Sequence, residues 1–205
     1  VLLQETTGCL SGHCTLPVVM PDETTLETLQ AEEIDALESF QFYNEWDSGY
    51  SKIQSTRPQT LGYSLADSPS GQLAWIVEKF AFWMDCESNG VRHPENVLSK
   101  DTMLDNVTLY WATNSAASSA RLYWESFNTP NLSPIERKIG LSVFPKEIMR
   151  TSERWARARF KNLVLYFKLA SLFLRDVRTI IIFINCVHSV KIRGAHKIKL
   201  LELFE

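Results

Sequence analysis

The sequence predicts an α/β protein in which a long run of helices separates a first strand from a later strand–helix–strand unit. Three observations support this class. Apolar residues between positions 26 and 127 recur mainly at helical spacing, apolar segments at 139–145 and 163–167 are short enough for buried strands, and a basic amphipathic segment from Ser152 lies between them. A sheet interrupted by a helical insertion has this organisation.

The first segment, residues 1–21, is predicted to contain one short strand at V-L-L-Q, a glycine-rich turn and an exit in which Pro17 and Pro21 exclude a helix. Residues 26–46 are predicted to be helical. The expected apolar face of this helix comprises Ile34, Leu37, Phe40 and Tyr43. Its acidic residues are expected mostly on the opposite face, and they are Glu32, Glu33, Asp35 and Glu38.

The segment from Asp47 to Pro69 is too polar for a core element and too rich in large side chains for a linker. Gly49 and the pair Arg57-Pro58 interrupt the helical period, so the segment predicts a bent loop between helices. Its chemistry is not evident from composition alone.

Three further helices follow this segment. Ser68 and Pro69 have the residue types of an N-cap and a first helical position, and Ser99 is a second candidate cap. The stripe that the first helix is expected to bury comprises Leu73, Ile76, Val77, Phe80 and Met84. The next helix is expected to bury Leu104, Val107 and Trp111. The last runs from about Ser115 to Phe127, with Arg121 and Glu125 spaced for an ion pair.

Composition excludes several classes of function. The chain has 205 residues and a formal net charge of −3, with 9 Lys/Arg against 20 Asp/Glu in residues 1–149 and 12 against 4 in 150–205. The basic residues of the second part are dispersed among apolar ones, so we expect no nucleic-acid partner. Cys9, His13 and Cys14 lack a second ligand pair, so we expect no metal site. No apolar run is long enough for a membrane span, and the four cysteines favour a reducing compartment.

Six ordered segments resemble one enzyme family. They are G-Y-S-K-I-Q-S-T-R-P-Q-T-L-G-Y, D-S-P-S-G-Q-L-A-W-I-V-E-K-F, H-P-E-N-V-L-S, D-N-V-T-L-Y-W, S-S-A-R-L-Y-W-E-S-F and V-F-P-K-E-I. Together they resemble epoxide hydrolases of the α/β-hydrolase fold, in the microsomal-type branch and its bacterial relatives. The resemblance covers roughly residues 10–166 and implies a partial α/β-hydrolase core with an all-helical cap.

The resemblance implies hydrolysis of an epoxide to a vicinal diol through an alkyl-enzyme ester, without metal or organic cofactor. Tyr50, in G-Y-x-x-I-Q, and Tyr123, in R-x-Y-x-E, match the two tyrosines that donate to the epoxide oxygen in the family. Glu147, in F-P-x-E, matches the acid that orients the catalytic histidine. Trp75 and Trp111 are expected to line the substrate pocket. Without the resemblance, each of these residues would be interpreted as a packing, loop or helix-start residue.

Other family segments are not recognised in this sequence. It contains no G-G-D-W-G-like nucleophile segment, no H-G-x-P segment and no G-G-H-F-like histidine segment. His188 and His196 lie in residues 179–205, which resemble nothing in the family and are interpreted as a frameshifted or altered end. His93 is expected to be a loop or capping residue. We therefore expect a truncated chain that is essentially inactive alone, the alternative being a non-catalytic binding or misfolded fragment.

The predicted domain boundaries follow from these segments. A core strand with its exit occupies 1–21, the helical cap 22–127, the return to the core 128–178 and an unrelated tail 179–205. The implied partner is a small-molecule epoxide. Self-association through an uncovered core face is also expected. The expected localisation is cytoplasmic, or the endoplasmic-reticulum membrane if an N-terminal anchor precedes this sequence.

Overall fold

A computed structural model of the chain describes residues 11–19, 21–128 and 130–169. Within these ranges a three-stranded sheet is combined with a set of helices inserted between its first and second strands. The predicted α/β class with a helical insertion is confirmed. In chain order the main elements are β1 (Ser11–Thr15), α1 (Glu23–Leu26), α2 (Ala31–Phe42), a π-helical turn (Tyr43–Asp47), α3 (Gly49–Thr56), α4 (Pro58–Asp67), α5 (Pro69–Trp83), β2 (Glu87–Ser88), β3 (Val91–Arg92), a 3₁₀ turn (Pro94–Asn96), α6 (Lys100–Ala112), α7 (Ala116–Phe127), β4 (Ile135–Val143), α8 (Glu153–Arg159) and β5 (Phe160–Lys168).

The three-stranded sheet is parallel and has the order β1-β4-β5. Strand β1 occupies residues predicted as a glycine-rich turn, so that part of the prediction is wrong, whereas the predicted strand V-L-L-Q lies outside the described residues. Pairing with β4 gives the backbone of β1 its hydrogen-bond partners, which local sequence cannot show. A Cβ on Gly140 of β4 would lie 2.6 Å from Nδ1 of His13, so the imidazole ring of His13 occupies the space that a side chain at position 140 would need.

The core of the sheet lies against α8. Ile139 and Leu141 of β4 are fully buried, and they belong to the same cluster as Trp155 and Ala156 of α8. The side chain of Ser152 accepts a hydrogen bond from the Trp155 N–H and thereby caps α8. The predicted strand, basic helix and second strand are confirmed, although β4 begins at Ile135, before the predicted start.

Helix α2 packs against the same core, and Leu37 of its predicted apolar face contacts the core cluster, but other residues of the helix differ from the prediction. Ile34 is 46% exposed, whereas Glu33 is fully buried and Ala36 belongs to the core cluster. The predicted assignment of faces is therefore wrong for Ile34 and Glu33. The reason is tertiary, because Arg154 and Ser152 reach Glu33 and satisfy its carboxylate inside the protein.

The segment from Asp47 to Pro69 folds as two helices, which corrects the predicted loop. Helix α3 begins at Gly49, and α4 begins at Pro58, which occupies the first helical position. The interruption predicted at Arg57-Pro58 is confirmed. Arg57 has φ −139° and ψ 54°, which is not helical, because a proline disfavours helical backbone angles at the residue before it.

Helix α5 follows its predicted pattern. Ser68 accepts a hydrogen bond from the Gly71 N–H, and Pro69 is the first helical residue. The predicted stripe is buried or packed against a second core, which α5 shares with α6. This second core contains Ile76, Phe80, Met84, Cys86, Leu98, Met103, Val107 and Tyr110.

Helix α6 is capped by Ser99 as predicted, since its side chain accepts from the Thr102 N–H. Its buried face is displaced from the prediction: Leu104 is 48% exposed, while the buried residues are Met103, Asn106, Val107 and Tyr110. This face is buried because it packs against Ile76 and Phe80 of α5 in the second core. None of the helices in the described part is long and apolar enough to cross a bilayer.

Candidate active site

The helices of the insertion line a pocket that is partly open to solvent. Helices α3 to α7 all contribute to its wall. The lining residues are Tyr50, Gln54, Leu65, Gln72, Trp75, Ile76, Lys79, Trp83, Tyr110, Ala116, Ser119 and Tyr123. The wall is thus largely aromatic and aliphatic with a few polar groups, as is usual for small-molecule sites.

Tyr50 and Tyr123, which are 73 positions apart in the sequence, meet in this pocket. Their ring centroids are 5.9 Å apart in an edge-to-face arrangement. Tyr50 lies in the first turn of α3 and Tyr123 in α7. The hydroxyl of Tyr50 lies 3.3 Å from that of Tyr43, in the π-helical turn that precedes α3. The fold therefore brings together three phenol groups, one each from the π-helical turn, α3 and α7.

Both candidate tyrosines are protonated at neutral pH. Burial raises the pKa of Tyr50 above its usual value, and the neighbouring phenols of Tyr123 and Tyr43 raise it further. Burial also raises the pKa of Tyr123 to about 12. Because a phenol can donate a hydrogen bond only while it keeps its proton, these environments maintain both residues as donors.

The two tryptophans predicted to line the pocket differ in position. Trp75 is part of the wall, and its Nε1 donates to Oε1 of Gln54 at 3.3 Å, which links α5 to the helix of Tyr50. Trp111 lies outside the lining. It is 41% exposed, and its Nε1 donates to the carbonyl oxygen of Ala66 at 3.0 Å.

A charged network supports Tyr50 from the side of α5. Asp47 accepts a hydrogen bond from Nζ of Lys79 at 2.7 Å and one from Nε1 of Trp83 at 2.6 Å. Lys79 lies 5.0 Å from the centroid of the Tyr50 ring, and Trp83 contacts that ring edge to face at 5.2 Å. Burial opposes the charge of Lys79, but its bonds to Asp47 and Glu78 outweigh this and raise its pKa. The network fixes the ring of Tyr50.

Glu147 lies in the sheet part of the protein, just beyond the carboxyl end of β4. Its Oε1 accepts the Leu16 N–H at 3.0 Å, and its Oε2 accepts the Phe144 N–H at 3.2 Å. Leu16 has a φ of 46°, a left-handed conformation uncommon for a residue with a side chain. Burial raises the pKa of Glu147 to about 7, although the hydrogen bonds from the Phe144 and Leu16 N–H groups act to lower it. Glu147 is not part of the pocket wall.

The described histidines also lie away from the pocket. His13 in β1 has its Nε2 2.9 Å from Oγ of Ser142. His93 accepts the Glu95 N–H through Nδ1 and so caps the 3₁₀ turn, which confirms its predicted capping role. His188, His196 and Cys9 lie outside the described residues. In the part that the structure describes, no group of three or more His, Cys, Asp or Glu residues is placed to hold a metal ion.

Sequence reasoning did not identify Gln54, Gln72 and Lys79 as pocket residues. Helical periodicity could have predicted the positions of Gln72 and Lys79. The pocket residues of α5 recur at i, i+3, i+4, i+7 and i+11, and they are Gln72, Trp75, Ile76, Lys79 and Trp83. This spacing places them along one helix face. For Gln54, only the tertiary contact with Trp75 reveals the role.

Comparisons with known proteins identify relatives of this chain by sequence and by structure. The chain is 46% identical over 161 residues to a protein of Stigmatella aurantiaca whose name assigns it to the epoxide hydrolases, a match over 78% of this chain and 36% of that protein. It is 35% identical over 131 residues to epoxide hydrolase 1 of Oryctolagus cuniculus, over 58% of this chain and 28% of that protein. No protein-family profile matches the chain.

Solved structures give the same relationship. The epoxide hydrolase of Aspergillus niger matches with a TM-score of 0.71 and 28% identity, over 91% of this chain and 48% of that one. The juvenile hormone epoxide hydrolase of the silkworm Bombyx mori matches with a TM-score of 0.68 and 25% identity, over 87% of this chain and 47% of that one. The chain thus spans about a third of the length of the curated relatives and about half of these structures.

Proposed function

We propose that this chain, which is homologous to the C-terminal part of epoxide hydrolases of the α/β-hydrolase fold, provides the substrate-activating part of an enzyme that converts epoxides to vicinal diols. One observation carries the proposal: Tyr50 and Tyr123 lie edge to face in a largely apolar pocket that keeps both phenols protonated. Two converging donors suit an oxygen that gains negative charge during the reaction.

Opening the epoxide breaks a carbon–oxygen bond and leaves an alkoxide. In the proposed reaction a carboxylate attacks a ring carbon and forms an ester, while Tyr50 and Tyr123 bond to the departing oxygen and one of them gives it a proton. Water then attacks the ester as a histidine accepts one of its protons, and the histidine returns this proton to the second diol oxygen. The carboxylic acid released from the ester gives its proton to the tyrosine and is a carboxylate again. Burial of the two phenols reduces screening by water, which strengthens their hydrogen bonds to the developing charge.

Glu147 is the proposed orienting acid for that histidine. Its position after a parallel strand is typical of catalytic residues in α/β proteins, where functional groups gather at the carboxyl ends of strands. A histidine hydrogen-bonded to Glu147 would lower the pKa of this carboxyl from about 7 and keep it ionised. Among the described pocket-lining residues there is no carboxylic acid and no histidine. We therefore propose that the described residues alone do not complete turnover.

Binding can be tested without turnover, because Trp75 and Trp83 in the pocket wall report on occupancy through their fluorescence. Styrene oxide is expected to bind the chain, and Tyr50→Phe and Tyr123→Phe are each expected to weaken binding by about fivefold, the equivalent of one net hydrogen bond. Tyr63→Phe is the matched control, since Tyr63 is 70% exposed and lies outside the lining.

Activity is tested by adding the N-terminal part of the Stigmatella relative to the purified chain and measuring diol formation. Turnover that requires both parts, and that falls by at least about a hundredfold in Tyr50→Phe/Tyr123→Phe, is the expected result. Epoxide binding that is unchanged by both tyrosine substitutions would contradict the proposal.

A further inference from the structure

Gln72 is a buried polar residue in the pocket wall. The residue is only 2% exposed, it lines the pocket, and its Oε1 has no hydrogen-bond partner in the described part of the chain. Buried amides are normally paired, and one that is not costs stability. An unpaired amide in a substrate pocket therefore needs an explanation beyond folding.

The position of Gln72 along α5 relates it to the two tyrosines. Trp75 and Lys79 follow it on the same helix face, and the ring of Tyr50 lies beside Lys79. At 1.5 Å of rise per residue, Gln72 is displaced from these two residues by roughly 5 to 10 Å along the helix axis. A ligand that places its epoxide oxygen at the tyrosines can therefore extend another part of itself towards Gln72.

We infer that Gln72 is a specificity-determining residue that accepts a hydrogen bond from the substrate. The inferred substrates are epoxides with a hydroxyl or N–H group at the end of the molecule remote from the three-membered ring. A site built to bond such a group discriminates against analogues that lack it, because they leave the buried amide oxygen unpaired. The inference rests on the proposed role of Tyr50 and Tyr123 in holding the epoxide.

Two probes of nearly equal shape test this preference: 4-(hydroxymethyl)styrene oxide and 4-ethylstyrene oxide. Their dissociation constants for the 205-residue chain are measured by tryptophan fluorescence. The hydroxymethyl probe is expected to bind about five- to tenfold more tightly, as one added hydrogen bond predicts. Gln72→Met keeps the length of the side chain without its amide, and it is expected to remove the preference.

Thermal unfolding gives a second readout. Because Gln72→Met removes an unpaired buried oxygen, its Tm is expected to equal or exceed that of the parent chain. Gln59→Met is the matched control, since Gln59 is exposed on α4 and outside the lining. This control is expected to keep the parent's preference for the hydroxymethyl probe.

The outcomes separate this inference from the proposed function. If both probes bind equally and Tyr50→Phe weakens both, the role of Gln72 is overturned while the epoxide site stands. A marked loss of Tm in Gln72→Met would show a structural role and would also overturn the inference. Binding that is insensitive to Tyr50→Phe and Tyr123→Phe would overturn the proposed function and this inference together.

Discussion

Burial raises the pKa of all three candidate catalytic residues, Tyr50, Tyr123 and Glu147. The consequence differs between the phenols and the carboxyl group. A phenol already holds its proton at neutral pH, so burial of Tyr50 and Tyr123 preserves the donor state. A carboxyl group is normally ionised there, and burial raises the pKa of Glu147 to about 7, so this group keeps its proton to a higher pH than an ordinary glutamate does. Burial thus keeps the tyrosines able to donate hydrogen bonds, whereas Glu147 needs a positively charged partner to stay ionised at neutral pH.

The raised pKa of Glu147 predicts a specific pH dependence of stability. Between about pH 4.5 and pH 7 the folded chain holds more protons on Glu147 than the unfolded chain does, so the free energy of unfolding falls as pH rises through this window. Relative to the parent, Glu147→Gln should lose most of this dependence, on the order of 2–3 kcal/mol. Urea unfolding at pH 4.5 and pH 8 measures the difference.

Glu136→Gln is the control for this experiment, because Glu136 is exposed on β4. It should retain the pH dependence of the parent. A Glu147→Gln variant with the same pH dependence as the parent would show that Glu147 titrates as an ordinary glutamate.

At the scale of elements, close packing of helices determines the shape of the pocket. Helix α4 contacts α7 at Gly62, where an added Cβ would lie 2.5 Å from Cβ and 3.0 Å from Cα of Ala117. The backbones of these helices can approach so closely only because position 62 has no side chain. Since α7 also carries Tyr123, this contact helps to place a proposed catalytic group.

Gly62→Ala is therefore expected to destabilise the chain. Alanine gains about 1 kcal/mol in helix propensity, but overpacking against a neighbouring backbone costs about 1–3 kcal/mol, so we expect a net loss of up to about 2 kcal/mol. Gly49→Ala is the matched control, since no atom lies within 4 Å of its added Cβ. Urea unfolding of both variants tests the prediction. A Gly62→Ala variant as stable as Gly49→Ala would show that α7 shifts without cost.

At the scale of the whole molecule, a buried ion pair joins the helical insertion to the sheet. Glu33 of α2 is fully buried; it forms an ion pair with Arg154 of α8 and accepts the Ser152 hydroxyl at 2.6 Å. It also accepts the Gln30 N–H at the start of its own helix. Burial opposes ionisation of Glu33, but these hydrogen bonds outweigh it and lower its pKa.

Glu33→Ala is expected to destabilise the chain by about 2 kcal/mol, because it removes the ion pair with Arg154, which is about a third exposed, and leaves the buried Ser152 hydroxyl without its acceptor. Glu38→Ala, at an exposed position of the same helix, is the control and should change stability by less than about 0.5 kcal/mol. Because the pKa of Glu33 is lowered, its contribution to the free energy of unfolding is fully present above about pH 4.5 and is lost as the pH falls below that value. Equal stability of the two variants in urea unfolding at pH 7 would contradict the anchoring role.

Self-association and localisation stay predictions. Val164, Leu165 and Phe167 of β5 are each about half exposed, which is consistent with a face that another segment or molecule covers. The domain boundaries predicted at 22–127 and 128–178 likewise stay predictions, although the helices α1 to α7 and the return to the sheet fall within them.

The sequence alone determined the features that depend on neighbouring residues. The caps at Ser68 and Ser99, the break at Pro58 and the buried stripe of α5 follow from short-range sterics, hydrogen bonds and helical periodicity. The ordered motifs also indicated the α/β-hydrolase fold. These features need no knowledge of where the rest of the chain lies.

Tertiary structure decided which side chains share a site and which polar groups are buried. Glu33 is buried because Arg154 reaches it from 121 positions away, and Lys79 supports Tyr50 because Asp47 pairs with it across 32 positions. Trp111, by contrast, bonds to Ala66 and lies outside the pocket despite its place in a family motif. Desolvation and ion pairing depend on what surrounds a group in three dimensions, so the order of residues does not specify them.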